Sequence, residues 1–158
     1  LVHKGKVVLS AINLPATKEL FFAKANSGAF LNGKRVHCSK HAILDESFGL
    51  GSPRTRARNA VFLKNLLQPG ETGGKRDIQF GGFASMAVNA CYVAAGRRDW
   101  LVPFFGQVWD FAPAYLILKE SGCKVTDTKG NPWKFGMLDM VAANPRLHKE
   151  LLKLTKNI

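Results

Sequence analysis

The stretch VWDFAPAYLILKESGCKV, from Val108 to Val125, sets a carboxylate, Asp110, between two aromatic residues, Trp109 and Phe111. An acid gains nothing from burial there, so its presence needs a chemical reason. Two reasons suit it. At the start of a helix it would accept backbone N–H bonds and complement the dipole. As a hard oxygen donor it would ligate a cation such as Mg2+. The local pattern favours the cap, and the two roles are compatible, because a carboxylate holding N–H groups stays ionised. HCSKH, His37 to His41, offers three ligands on one short turn and no second ligand pair, which falls short of a structural zinc site. Arg54, Arg56 and Arg58 crowd the first turns of an expected helix, where cations oppose the dipole. They read either as a solvated face or as a seat for a phosphate-bearing ligand or RNA.

These residues belong to a chain of 158, long enough for a sizeable core, with 46% hydrophobic and 22% charged residues, as in soluble globular proteins. No apolar run approaches the ~18 residues that span a bilayer. The stretch from Ala84 to Gly96 is broken by Ser85, Asn89 and Gly96. There is no signal-peptide pattern, and the first residue is Leu1 inside a β-like run, which reads as a fragment or processed product. Cys38, Cys91 and Cys123 lack CxxC spacing and read as reduced thiols, hence a cytoplasmic protein. The net charge is +12 and attracts anions of every kind. Residues 1–41 hold seven Lys or Arg and one acid, so this quarter of the chain carries half the imbalance.

The elements follow from period and punctuation. Lys6 to Asn13 alternates as a strand that Pro15 ends, and Glu19 to Ala25 is a second strand. Asn32-Gly33 is the centre of a tight hairpin, since both residues take positive φ readily. Residues 1–41 thus read as an antiparallel meander, marginal alone and open at its edges. From Ala42 strands and helices alternate: a strand over Ser47 to Gly51; a helix begun by Ser52-Pro53 and running to Leu67 with Val61, Phe62, Leu66 and Leu67 inward; a strand over Arg76 to Phe80; a helix over Ala84 to Ala95; a strand over Asp99 to Val102; a helix opened by Asp110 and closed by Gly122; strands over Lys124 to Thr128 and Met140 to Ala143; and a basic helix capped by Asn144-Pro145. That alternation predicts an α/β domain over 42–158: a mixed, largely parallel sheet with helices on both faces. Ligands of such sheets gather beyond the carboxyl ends of strands. Ser52, the Gly81–Ser85 run and Asp110 fall at strand-to-helix junctions.

The order Trp-Asp-x-Ala-Pro, an apolar helix, an acid, Ser-Gly, a strand and Asp-x-x-Gly resembles the carboxyl-terminal motif of the inositol monophosphatase superfamily. GAFLNGKRV (28–36), LGSPRT (50–55), AVNACYVAAGRRD (87–99) and VAANPRL (141–147) agree with it, in order along nearly the whole chain. The resemblance implies the αβαβα sandwich of that family, a Mg2+-dependent phosphomonoesterase activity on a small phosphorylated metabolite (an inositol, sugar or nucleotide phosphate), and commonly a homodimer. It makes Asp110 the catalytic, metal-ligating candidate. Ions held there would polarise the phosphate and activate a water. It makes Ser52, Ala84, Ser85 and Met86 substrate-binding candidates, for which capping and packing are the plain alternative. The chain departs from the family pattern in two places: the usual arginine before the 84–86 stretch falls on Gly81, and the usual acid seven residues before the metal aspartate falls on Pro103. The family's Glu-Glu pair and Asp-Pro-Ile/Leu-Asp-Gly-Thr motif do not occur, so they are expected upstream of Leu1, and the chain alone is expected to hold metal poorly and hydrolyse little. The rival expectation is a catalytically silent basic scaffold that binds RNA or an acidic protein partner. Phe21-Phe22 beside Lys18 and Lys24 is a sparse version of the aromatic and basic mixture that stacks nucleic acid.

Overall fold

The computed structural model describes residues 1–51, 57–68, 77–155 and 158. In chain order these form β1 (Val2–His3), β2 (Lys6–Val7), β3 (Leu9–Leu14), β4 (Glu19–Lys24), β5 (Gly28–Leu31), β6 (Lys34–Val36), β7 (Phe48–Leu50), α1 (Ala57–Leu67), β8 (Gln79–Gly81), α2 (Met86–Ala94), β9 (Trp100–Leu101), α3 (Val108–Glu120), β10 (Lys124–Thr126), β11 (Val141–Ala143) and α4 (Pro145–Thr155). The single strand expected over 6–13 is split. Lys4 and Gly5 take positive φ, so β2 folds back on β1, while β3 pairs with β4. β3 to β6 form an antiparallel sheet in sequence order, closed at Asn32-Gly33, where φ is 47° and 79°.

The second sheet has the order β10-β11-β9-β7-β8. β7 runs parallel to both β8 and β9, as strand–helix alternation requires, whereas β11 is antiparallel to β9 and β10. The sheet is therefore mixed, and its parallel part is confined to β8-β7-β9. The reason is local: residues 127–140 form a loop without a helix, so the chain reverses instead of crossing over.

Alternation along the strands sorts the core into two layers. Leu50, Leu101 and Ala142 face α2 and α3, which also receive Ile12, Phe21, Ala23 and Ala29 from the four-stranded sheet and Val7 from the β1–β2 ribbon. Trp100, Val102, Val141 and Ala143 face the opposite way, against Phe62 and Leu66 of α1 and Leu147 and Leu151 of α4. α2 and α3 are thus pressed between two sheets, which explains their small, all-round apolar residues such as Ala90, Ala94 and Ala114. In α1 the inward stripe is Asn59, Phe62 and Leu66; Val61 and Leu67, expected inward, are exposed because the helical period turns them off that stripe. Phe21 is buried and Phe22 is not, as pleating demands.

The helix ends follow their capping chemistry. Asn144 Oδ1 accepts from the N–H groups of Arg146 and Leu147, both at 3.1 Å, with Pro145 at the first helical position. α3 ends in a Schellman turn: Cys123 N–H donates to Leu118 O and Gly122 N–H to Lys119 O, with Gly122 at φ 96°. All three cysteines are free, and burial pushes the Cys91 thiol up to about 12. Among the described residues no helix is long and apolar enough to cross a membrane.

His148 is fully buried on α4, with Nε2 3.0 Å from Thr126 Oγ1. Burial, and then the charge of Lys124, hold its imidazole down to about 4. The unfolded chain takes up that proton near 6.5, so the unfolded state binds more protons between about pH 6.5 and 4. Stability should therefore be intact above pH 6.5 and fall as the pH drops through this window, by about 3 kcal/mol from this group. Urea midpoints measured at pH 7.5 and 4.5 check this, and a His148→Gln variant should show a shallower fall.

Candidate active-site cleft

The three parallel strands decide where the site lies. Their carboxyl ends open on one side of the sheet: β7 into Gly51, β8 into Gly82-Phe83, and β9 into the run 102–107 that leads to α3. A cleft of about 520 Å3 lies among these ends, lined by Gly51, Phe83–Ala87, Asn89, Leu101, Pro103, Phe105–Gln107 and Asp110. Ligand clefts of open α/β sheets form at this place.

Asp110 is half-buried on this cleft. It does not open α3, as expected from sequence; Gln107 is the N-cap, and Asp110 is the third helical residue. From there its Oδ2 accepts the N–H of Gln107 at 2.8 Å, the backward bond of a capping box. Gly106 makes room for this bond. A Cβ built there would lie 3.1 Å from Asp110 Oδ2 and 2.9 Å from the ring of the buried Phe111. The helix start complements the charge of the carboxylate.

Ala84, Ser85 and Met86 line the same cleft, so the fold brings four of the five candidates together. Ser85 is also the N-cap of α2, its Oγ accepting from Val88 N–H at 3.4 Å. Ser52, like Arg54 and Arg56, lies outside the described residues; its neighbour Gly51 lines the cleft. Pro103, where an acid was expected, is on the cleft wall. Arg58 is partly exposed and paired: it bonds Asp139 at 2.6 Å and Thr128 at 3.0 Å, and stacks over Phe104. Phe83 fell within the Gly81–Ser85 run noted from sequence without a role of its own, and Asn89, Phe105 and Gln107 were not assigned to a site. Only Asn89 carried a signal, a polar residue four after Ser85 in an apolar helix.

The cation that the resemblance implies needs several oxygen donors around it. Among the described residues no group of three or more His, Cys, Asp or Glu is placed to hold a metal ion, HCSKH included. Asp110 is chemically suited as one oxygen ligand of several, and these residues complete no cation site by themselves.

A mixed sheet between helix layers, with a carboxylate at a helix start in the strand-end cleft, defines a layered α/β protein. The chain belongs to the inositol monophosphatase family, whose sequence profile matches residues 1–158. It is 32% identical over 157 residues to the fructose-1,6-bisphosphatase/inositol-1-monophosphatase of Thermotoga maritima, covering 99% of this chain and 58% of that protein. It is 32% identical over 153 residues to Nus factor SuhB of Salmonella typhimurium, covering 94% and 55%. The crystal structure of extragenic suppressor protein SuhB from Bartonella henselae superposes with a TM-score of 0.84 at 29% identity, over 98% of this chain and 58% of that one. The chain thus spans under three fifths of the length of these relatives.

Gly106→Ala should destabilise the protein by about 1–3 kcal/mol through the contact with Phe111. It should also displace the Asp110 carboxylate, read in the NMR shift of the Gln107 amide. An unshifted amide would refute the packing described.

Proposed function

We propose that this chain supplies one wall of a Mg2+-dependent phosphomonoesterase site, the part that carries a metal-ligating carboxylate and the pocket for the organic portion of a small phosphorylated metabolite. The observation that carries this reading is the convergence of Asp110 and the 84–86 segment on a single strand-end cleft in a chain of this family. Mg2+, when bound, would neutralise phosphate charge and activate the attacking water. The chain's own residues have narrower tasks. Asp110 offers a carboxylate oriented by the Gln107 N–H bond at the start of α3. The 84–86 segment sets the substrate's distance from it at the start of α2. The other acid ligands belong to polypeptide outside these 158 residues.

In the protein that contains this chain, Asp110→Asn keeps the acceptor for Gln107 N–H and removes the charge. Mg2+-dependent phosphate release from small phosphomonoesters should fall by about a hundredfold or more with little change in melting temperature. Activity within threefold of the parent refutes the reading.

A second reading has its own support, since a relative is a Nus factor and every Lys and Arg of residues 1–41 is exposed on the meander. On this reading the basic surface docks RNA. RNA affinity should then fall steeply and log-linearly with salt, and reversing the charge of Lys18 and Lys24 should lower that slope. A flat salt profile excludes it.

A further inference from the structure

HCSKH is no zinc site, but its cysteine has a partner that lies far along the chain. Cys38 follows β6, and Cys123 lies between α3 and β10. The Cys38 N–H donates to Ser121 O at 3.0 Å, which sets the two segments side by side. Cys38 Sγ reaches the turn after α3, since a Cβ built on Gly122 would lie 4.0 Å from it. There it meets the Cys123 thiol, and the two share a hydrogen bond. Cys91 takes no part and is buried in α2.

Both thiols sit on fixed backbone. Ser39 Oγ donates to Asp99 Oδ1 at 2.6 Å. Gly96 packs against residues 37–39, where a Cβ would fall 3.0 Å from His37 O. On the other side the Cys123 N–H donates to Leu118 O at 3.1 Å. Ser121 Oγ competes little for Cys123 Sγ: it stands 3.9 Å away and donates to Leu118 O at 2.7 Å.

The two sulfurs are unequal. Cys38 is half-buried, whereas Cys123 is buried. The hydrogen bond from the Cys123 thiol holds Cys38 below the ordinary thiol range, and the same bond, with burial, pushes Cys123 well up. The C-terminal end of α3 also disfavours an anion at Cys123. One sulfur is thus within reach of solvent and readily ionised, and a sheltered, protonated one backs it. A reactive thiol and its resolving partner have this arrangement.

We propose that Cys38 and Cys123 form an oxidation site, at which a hydroperoxide converts the two thiols into a disulfide between the end of β6 and the turn after α3. The Cys38 thiolate attacks a peroxide oxygen and the O–O bond breaks. The leaving oxygen departs as an alcohol, or as water from hydrogen peroxide, with the proton that Cys38 gave up, and Cys38 becomes a sulfenic acid. The Cys123 sulfur then attacks the Cys38 sulfur. The S–S bond forms, the S–O bond breaks, and the hydroxyl leaves as water with the Cys123 proton. The two thiols give up two electrons to the peroxide, and a dithiol reductant reverses the change. The bond closes a loop of about 85 residues and ties the antiparallel sheet to the end of α3. It does not depend on what the cleft binds.

The test treats the folded protein that contains this chain with hydrogen peroxide and maps its peptides without reduction. The Cys38 and Cys123 peptides should appear joined and lighter by two hydrogens, and should separate after dithiothreitol. Before oxidation, iodoacetamide should label Cys38 at least about tenfold faster than Cys91 or Cys123. Cys38→Ser should abolish the link, and Cys91→Ser should leave it intact. Cys123→Ser should leave Cys38 as a sulfenic acid that dimedone traps. If circular dichroism shows that Cys123→Ser does not fold, Cys123→Ala replaces it, and the peptide map of the parent decides without either. A link from Cys38 to another cysteine, a sulfenic acid on Cys38 of the parent with no link, both thiols unmodified, or labelling of Cys38 no faster than of Cys91 overturns the proposal.

Discussion

Trp100 fills the space that any side chain at residue 49 would need: a Cβ built on Gly49 lies 1.9 Å from its ring. The ring therefore lies over the β7 backbone on the face toward α1 and α4. The indole is satisfied as well as packed, donating to Ser47 Oγ at 2.9 Å, while Ser47 donates onward to Leu44 O at 2.7 Å. Phe62 meets it edge-on at 5.9 Å and Phe80 stacks on it at 5.7 Å, so rings from α1, β8 and β9 form one block. The cleft sits directly beyond this block. Gly51 and Gly82 touch because neither has a side chain, and the run from Val102 to Gln107 continues from the anchored end of β9. Interior packing tolerates little change in volume, so the cleft inherits its shape from the aromatic block behind it.

α3 transmits that geometry across the molecule. Its thirteen residues make a rod of about 20 Å, buried between the two sheets. At one end Asp110 stands in the cleft. At the other, Glu120 accepts the N–H groups of Asn26 and Gly28, each at 2.9 Å, and so fastens the helix to the turn between β4 and β5. A carboxylate at a helix C-terminus opposes the dipole, and two backbone donors offset that cost. The antiparallel sheet is therefore joined to the site by a rigid element with an acid at each end.

Membership of the inositol monophosphatase family fits what this chain has and what its described residues lack. It has the strand-end cleft, the capped aspartate and the α2 start. Among the described residues no cluster of acids surrounds a cation site, and the chain spans under three fifths of relatives that include both phosphatases and Nus factors. The phosphatase and scaffold readings use different surfaces, the cleft in one case and the exposed cations of the meander in the other.

The sequence alone determined the features that depend on neighbours along the chain. Asn32-Gly33 could only be a tight turn, Asn144-Pro145 a helix start and Gly122 a helix end, and one of Phe21 and Phe22 had to turn inward, because dihedral preference and strand period act over a few residues. Whole-chain motif order gave the family and drew attention to Asp110 and residues 84–86. Tertiary structure decided the rest. Nothing local revealed that the sheet turns antiparallel at β11, that Val61 and Leu67 face outward, or that Gln107 and not Asp110 caps α3. Nor could spacing show that Asn89, more than twenty residues before Asp110, lines its cleft. Those outcomes depend on which surfaces meet, and contacts between distant segments are fixed by packing volume and by the pairing of strand ends.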